Sequence, residues 1–164
     1  MHQIDVRDLL ANPGSSTGVT VGEAVPGLRL ALVAVPDDAP ITGTLLLESV
    51  IEGILVSGSI AGRMTLSCAR CLKEFEQDFD VKVEEMYVRD PGPDDDYALS
   101  PEHTLDPEPM VRDAIVLSMP FAPLCKPDCL GLCERCGGDR NLGECTCTPP
   151  PADPRWAGLE TLIQ

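Results

Sequence analysis

Positive charge is scarce in this chain. Twelve Lys and Arg stand against twenty-seven Asp and Glu, a formal net charge of -15. A surface of that sign repels phosphate backbones over the distances at which encounter is steered, which argues against a free-standing nucleic-acid binder. Histidine is scarcer still, with His2 and His103 alone in 164 residues. Each sits in a polar segment without metal-ligand spacing and reads as solvated. No Gly-rich phosphate loop and no Ser/His/Asp grouping stands out, so a nucleophile and a general base are both wanting, and the chain reads as a non-enzyme. No stretch approaches the roughly eighteen apolar residues of a membrane span. The opening MHQIDVRDLL lacks the basic and then apolar regions of a secretion signal. The expected location is the cytoplasm, where disulfides are disfavoured.

What is present divides into three parts. The length suits one modest domain with a hydrophobic core plus a small tail, with expected boundaries of 1–124 and 125–164. Residues 12–27 (NPGSSTGVTVGEAVPG) read as a loop with at most one weak strand. From Leu28 to Val88 the runs LRLALVAV, ITGTLLLESV, GILVSGSIAG, RMTLSC and FEQDFDVKVEEMYV are rich in branched and aromatic residues, and several alternate apolar with polar. That pattern predicts an antiparallel meander with one face buried. In the last run Phe75, Phe79, Val81 and Val83 follow a period of two, with an irregularity expected near Phe79. Residues 89–109, rich in Pro and Asp, read as a connector. At its end Asp106 and Pro107 suit an N-cap and a first helical position, with Leu105 stapling onto Met110. Met110, Val111, Ala114 and Ile115 mark one apolar face of a helix that Pro120 ends. The expected fold is α+β, mainly β: an antiparallel sheet or partly closed barrel packed by one helix, followed by a cysteine-rich, zinc-binding tail.

The cysteines carry the chemistry. Six of eight lie between Cys125 and Cys147, in CKPDCLGLCERCGGDRNLGECTC, and the other two form CARC at Cys68 and Cys71. Two C-x-x-C pairs and two further close pairs in a reducing compartment point to tetrahedral zinc, which takes four thiolates. Cys133, Cys136, Cys145 and Cys147 complete one local site. Cys68, Cys71, Cys125 and Cys129 complete another that staples the tail to the sheet. The alternative grouping joins Cys125, Cys129, Cys133 and Cys136 locally and leaves Cys145 and Cys147 to Cys68 and Cys71. The C-x3-C-x2-C spacing of Cys129, Cys133 and Cys136 also occurs in radical SAM enzymes, but too little chain follows it for their barrel. A thioredoxin-like reading of CARC lacks the strand-then-helix setting. Both sites read as structural, holding two zinc ions. Arg70, Lys73, Lys126, Arg135 and Arg140 neighbour the cysteines and read as offsetting thiolate charge.

LSCARCLKEFEQDFDVKVEEMY, the helix ending in LSMPFAPLC, the cysteine-rich run and DPRWAGLETL together resemble the bacterial YceD family, from about Leu45 to the C-terminus. The resemblance implies a role in accumulation of 23S ribosomal RNA and large-subunit assembly, and supplies no catalytic mechanism. On that footing the expected function is a non-enzymatic ribosome-biogenesis factor. The alternative is an RNA-processing or modifying enzyme acting on the 23S precursor. Between Glu74 and Glu108 thirteen acidic residues face two basic ones, Lys82 and Arg89. The segment is either a solvated face or a docking surface for a basic ribosomal protein or the large-subunit precursor, with Asp94, Asp95 and Asp96 as candidate contacts and little affinity for bare RNA expected. Trp156, Leu159 and Leu162 recur at helical spacing. They read as a helix docking on its own domain or, alternatively, as a partner anchor at Trp156.

Overall fold

The apolar positions of GILVSGSIAGRMTLS keep one alternating phase across two glycines, and the two expected strands are accordingly one. In the computed structural model, which describes residues 1–143, 145–148 and 155, the element order is β1 (Ile4–Asp5), α1 (Arg7–Ala11), β2 (Ser16–Ala24), β3 (Val33–Ala34), β4 (Pro40–Ser49), β5 (Gly53–Ser67), β6 (Glu74–Val88), β7 (Thr104–Leu105) and α2 (Glu108–Ser118). All pairings between these strands are antiparallel. β5 is the axis. It pairs with β6 along its whole length on one edge, and on the other with β4 over Ile54–Ala61 and with β3 at Thr65 and Leu66. β2 adds outside β4. β1 and β7 form a separate two-stranded ribbon. Among the described residues β2 and β6 do not pair, so the sheet is open. The fold is mainly β with few helices, as the sequence implies.

Side-chain alternation builds one buried face. Ile41, Leu45 and Leu47 from β4, Ile54, Val56, Ile60, Met64 and Leu66 from β5, and Phe79, Val83 and Tyr87 from β6 are all buried. They meet Met110, Val111 and Ile115 of α2 in one core. Gly62 does not interrupt β5. It pairs with Phe79, and a Cβ there would stand 2.8 Å from the ring, so the missing side chain is the space the aromatic fills. The β5–β6 ladder runs without a slipped rung from Gly53↔Val88 to Ser67↔Glu74. The expected irregularity near Phe79 is therefore absent, and Gln77 and Glu85 are simply polar residues on the odd-numbered face.

Two other expectations are corrected. LRLALVAV is not a strand throughout. It folds back on itself, with the Val35 N–H donating to Leu28 O (2.9 Å) and the Leu30 N–H to Val33 O (2.7 Å), and Val33–Ala34 alone join the sheet. The reason lies in its phase: buried Leu28 is on an even position and buried Val33 and Val35 on odd ones, which no straight strand places on one face, and the fold leaves Leu30 41% exposed. Conversely, Ser16–Ala24 is a full strand of nine residues despite Gly18 and Gly22, because every residue is held in register by β4. Pairing there overrides weak intrinsic preference.

The connector from 89 to 109 is anchored at several points. Tyr97 stacks on Tyr87 with ring centroids 5.3 Å apart, the Tyr87 hydroxyl donates to Asp106 O at 2.8 Å, and Thr104–Leu105 form β7. Pro107 O accepts the Val111 N–H at 3.0 Å, so Pro107 and not Asp106 stands at the N-cap, one residue later than expected, while Asp106 Oδ1 accepts the Glu108 N–H at 3.0 Å just outside the helix. Leu105 and Met110 are both buried. α2 thus closes the apolar face at β6. Ile115→Ala, at a fully buried position, is expected to lower unfolding free energy by about 2–4 kcal/mol. Leu117→Ala, two residues on and 86% exposed, should change it by under about 0.5 kcal/mol. Denaturant titration of both variants checks this packing.

Candidate metal centres

Two C-x-x-C segments adopt the same backbone turn. In the first, the Leu72 N–H donates to Cys68 O (2.9 Å) and the Cys68 N–H to Lys73 O (2.9 Å). In the second, the Gly137 N–H donates to Cys133 O (2.8 Å) and the Cys133 N–H to Gly138 O (2.9 Å). Closing this turn requires positive φ at the residue after the second cysteine, and it is +72° at Gly137 and +60° at Leu72. Glycine takes that conformation freely, whereas leucine is strained by roughly 1–2 kcal/mol. The first turn caps the β5–β6 hairpin. The second lies free of the sheet.

The tail is held against the first turn by its backbone. The Ala69 N–H donates to Pro123 O (2.8 Å), the Leu132 N–H to Arg70 O (3.1 Å), and the Arg70 guanidinium to Cys129 O (2.8 Å). Gly131 passes so close that a Cβ would lie 3.0 Å from Arg70 O. These contacts bring Cys125 and Cys129 beside Cys68 and Cys71, and the four sulfurs lie within 4.8 Å of one another. Cys68, Cys71 and Cys129 are buried and packed by Phe75, Leu124 and Leu132. A second quartet, Cys133, Cys136, Cys145 and Cys147, gathers its sulfurs within the same limit but at a partly exposed position. The cysteines therefore group in the first of the two arrangements left open by the sequence.

Geometry and charge both suit a cation. Cys68 Sγ lies 3.8 Å from Cys129 Sγ, and Cys71 Sγ 3.7 Å from Cys125 Sγ. Disulfide sulfurs stand about 2.05 Å apart, whereas four thiolates at about 2.3 Å from a tetrahedrally bound ion stand about 3.8 Å from one another. The backbone N–H of Cys125 brings the Cys68 thiol down to about 6 against the opposing effect of burial. Burial and then the neighbouring sulfurs of Cys71, Cys68 and Cys129 push Cys125 up to about 12. The second quartet repeats the contrast. The Cys136 backbone N–H, with the Cys145 side chain, brings Cys133 down to about 6, and the crowding sulfurs of Cys145 and Cys136 push Cys147 up to about 12. One thiolate forms readily in each quartet, and full ionisation of four crowded sulfurs calls for a positive ion at the centre.

Surrounding groups complete this picture. Lys73 and Lys126 line a hollow with Cys71 and Cys125, and Arg135 and Arg140 line another with Cys133, Cys145 and Cys147. The cations that neighbour cysteines in sequence thus share these hollows with them. Asn141 is a residue the spacing did not single out. Its Nδ2 lies 3.5 Å from Cys129 Sγ and donates to Asp139 Oδ1 (2.7 Å), while its Oδ1 accepts the Leu130 N–H (2.9 Å). It stands between Cys136 and Cys145 in sequence yet contacts the other quartet, linking the two. His103 is exposed, with its carbonyl accepting the Val6 N–H at 3.1 Å, and the His2 ring pairs with Glu23 at 2.8 Å. Asp94, Asp95 and Asp96 are exposed, and Asp95 Oδ2 accepts the Gly92 N–H (2.8 Å), so Asp95 also closes a local turn. Trp156, Leu159 and Leu162 lie outside the described residues.

The two turns differ in strain, and exchange experiments should expose it. Leu72→Gly, at a mostly exposed side chain, is expected to stabilise the metal-loaded protein by about 0.5–1 kcal/mol, and Gly137→Ala to weaken its own turn by about 1 kcal/mol. A Cβ at Gly137 meets nothing within 4 Å, so the second effect is conformational alone. Thermal unfolding for the first variant and the rate of metal release to a chelator for the second measure the two effects.

Comparison with known proteins places these centres in a family. The chain is 34% identical over 174 aligned residues to an uncharacterized protein of Mycobacterium tuberculosis, a match spanning 98% of this chain and 80% of that protein. An uncharacterized protein of Mycobacterium leprae is 30% identical across 97% of this chain and 76% of its own length. The uncharacterized protein YlbN of Bacillus subtilis is 28% identical over 110 residues, or 65% of this chain and 64% of YlbN. No solved structure matches. Residues 56–163, which include all eight cysteines, match the sequence model of the family described as large ribosomal RNA subunit accumulation protein YceD, and the chain belongs to that family.

Proposed function

We propose that this protein is a non-enzymatic factor supporting accumulation of 23S ribosomal RNA and assembly of the large subunit, built on two structural zinc ions. The observation that carries the reading is the family match over residues 56–163, whose description names large-subunit ribosomal RNA accumulation. Zinc as the ion is supported by the donor set. Among the described residues four cysteine sulfurs and no other ligand type gather in each quartet, and soft thiolates in a tetrahedron favour zinc among the common divalent ions. Cys68, Cys71, Cys125 and Cys129 would hold one ion and Cys133, Cys136, Cys145 and Cys147 the other. With four thiolates each, both positions are saturated, and their contribution is to fix the tail on the hairpin.

The charge supports a protein partner. The formal net charge of -15 becomes more negative by about 2 for each four-thiolate zinc site. The protein would engage a Lys- and Arg-rich ribosomal protein, or precursor RNA already covered by such protein, in the cytoplasm. No helix among the described residues is long and apolar enough to cross a membrane.

The purified protein is expected to hold two zinc ions per chain, each with about four sulfur neighbours near 2.3 Å by X-ray absorption. Cys68→Ser should lose one ion and loosen the sheet, because that site joins segments more than fifty residues apart. Cys147→Ser should lose the other ion and leave the sheet largely intact. Loss of the same ion in both variants would contradict the grouping of the sulfurs.

Crosslinking and capture from cells is expected to recover large-subunit precursor RNA together with basic ribosomal protein. Neutralising Asp94, Asp95 and Asp96 together should slow that association steeply at low salt and leave zinc content unchanged. The pure protein should leave naked 23S precursor RNA uncut; cleavage or modification would favour an enzyme instead.

A further inference from the structure

β6 has an outer edge that the chain begins to cover and then leaves. At Val88 the N–H donates to Tyr97 O (3.2 Å) and the carbonyl accepts from the Leu99 N–H (2.9 Å), a parallel bridge to Ala98. Arg89 bonds inward, its N–H donating to Glu52 O at 3.1 Å. Backbone direction alternates along a strand, so Met86, Glu84 and Lys82 also point their N–H and C=O outward. Among the described residues nothing pairs with them. A cleft of about 450 Å³ runs there, lined by five consecutive β6 residues, Val81 to Glu85, and facing α2. Consecutive residues alternate between faces, so a wall made of all five is the strand's edge. A contiguous hollow of about 350 Å³ shares Glu85, Tyr97, Asp113 and Leu117 and adds Asp96.

The cleft has a definite chemistry. Glu84, Glu85, Asp96 and Asp113 are exposed around it, against one cation, Lys82. None of the five has an ion-pair partner among the described residues. Their field is felt at Tyr97, whose phenol is raised by burial first, then by its hydrogen bond to Asp113 (2.9 Å) and by the charges of Asp113, Glu85 and Asp96. Leu117, 86% exposed, supplies an apolar wall. An open strand edge ordinarily invites another strand, and acidic residues on both faces of it select the sign of what arrives. A second copy of this chain carries the same carboxylates and is repelled.

We propose that this cleft receives an extended Lys- and Arg-bearing segment of a partner protein, which pairs with Lys82, Glu84 and Met86 as an additional strand while its cations meet Glu84 on one face and Glu85, Asp96 and Asp113 on the other. This names the docking site for the basic partner of the proposed function and rests on that reading. The central sequence of the cleft, VKVEE (Val81–Glu85), is thus both strand and acidic contact.

The test uses the full zinc-loaded chain and, as probe, a peptide of about ten alternating lysine and valine residues. Amide hydrogen exchange at Lys82, Glu84 and Met86 is expected to slow roughly tenfold or more with bound peptide, and the same peptide methylated at alternate backbone nitrogens should bind at least about tenfold more weakly. Glu85→Lys with Asp113→Lys should weaken binding by about tenfold or more at low salt, with unchanged zinc content. If that pair fails to fold, Glu84→Lys with Asp96→Lys, both on the exposed rim, serves the same purpose. Binding without protection of those three amides, or indifferent to charge reversal, overturns the proposal. So does protection already present in the free chain that disappears on removal of residues 149–164, or that rises with protein concentration, since the occupant would then be the chain's own tail or a second copy. Sedimentation with large-subunit precursor particles separates the two readings. Particles that retain wild type but not the charge-reversed variant support the cleft, and equal retention overturns it while leaving the ribosomal role standing. Absence of wild type from the particles counts against that role, and the peptide measurements then decide the cleft alone.

Discussion

Four sulfurs within 4.8 Å of one another, from Cys68, Cys71, Cys125 and Cys129, tie the turn of the long β5–β6 hairpin to a segment more than fifty residues downstream. Among the described residues the tail from Cys125 onward otherwise has little buried apolar surface to hold it. Leu130 and Leu142 are exposed, and burial beyond the core is confined to the small cluster around these sulfurs. The hydrogen bonds of Ala69, Arg70 and Leu132 across this junction add directionality. They are each worth about 1 kcal/mol, whereas a metal ion held by four thiolates would supply on the order of ten times more. The position of the tail, and with it the second quartet, depends on this junction.

The sheet answers to a different constraint. β5 is buried on one face and paired on both edges, so its glycines are places where something else comes close, as Phe79 does over Gly62. β6 carries the core on its odd-numbered side chains and charge on its even ones and on Glu85, and among the described residues its outer backbone is paired only at Val88, by the connector. The acidity that looked like a property of a segment is thereby concentrated along one strand edge and the facing helix. Electrostatics of this kind sets which partners approach and how fast, and contributes less to how tightly they are held.

The two quartets differ in how they are supported. One is enclosed by Phe75, Leu124 and Leu132 and bridges distant segments; the other is local and partly open to solvent, with Arg135 and Arg140 beside it. Asn141 joins them, reaching Cys129 from between Cys136 and Cys145. Enclosure slows access of competing ligands and oxidants to a thiolate site, so the second quartet is the more reactive of the two on chemical grounds.

Cysteine spacing sorted the sulfurs into four close pairs, because cysteines with one to three residues between them share a turn and an ion of fixed coordination number takes two such pairs, but it left open which pairs join. Alternation from Ile41 to Val88 showed a mainly β fold with one face buried, since a period of two is a local property of the backbone. Asp106-Pro107 marked the start of α2 for the same local reason. Tertiary structure decided the rest. It chose between the groupings by bringing the tail back over the hairpin turn, and it made Ser16–Ala24 a strand by giving it β4 as a partner. It also bent LRLALVAV, burying Leu28 from one phase with Val33 and Val35 from the other, and left β6 as an edge facing Asp113 of α2. Positive φ at Leu72 and the reach of Asn141 to Cys129 have no signature in composition or spacing. Each arises from the closing of a turn around sulfur, and that depends on chain segments which meet only in three dimensions.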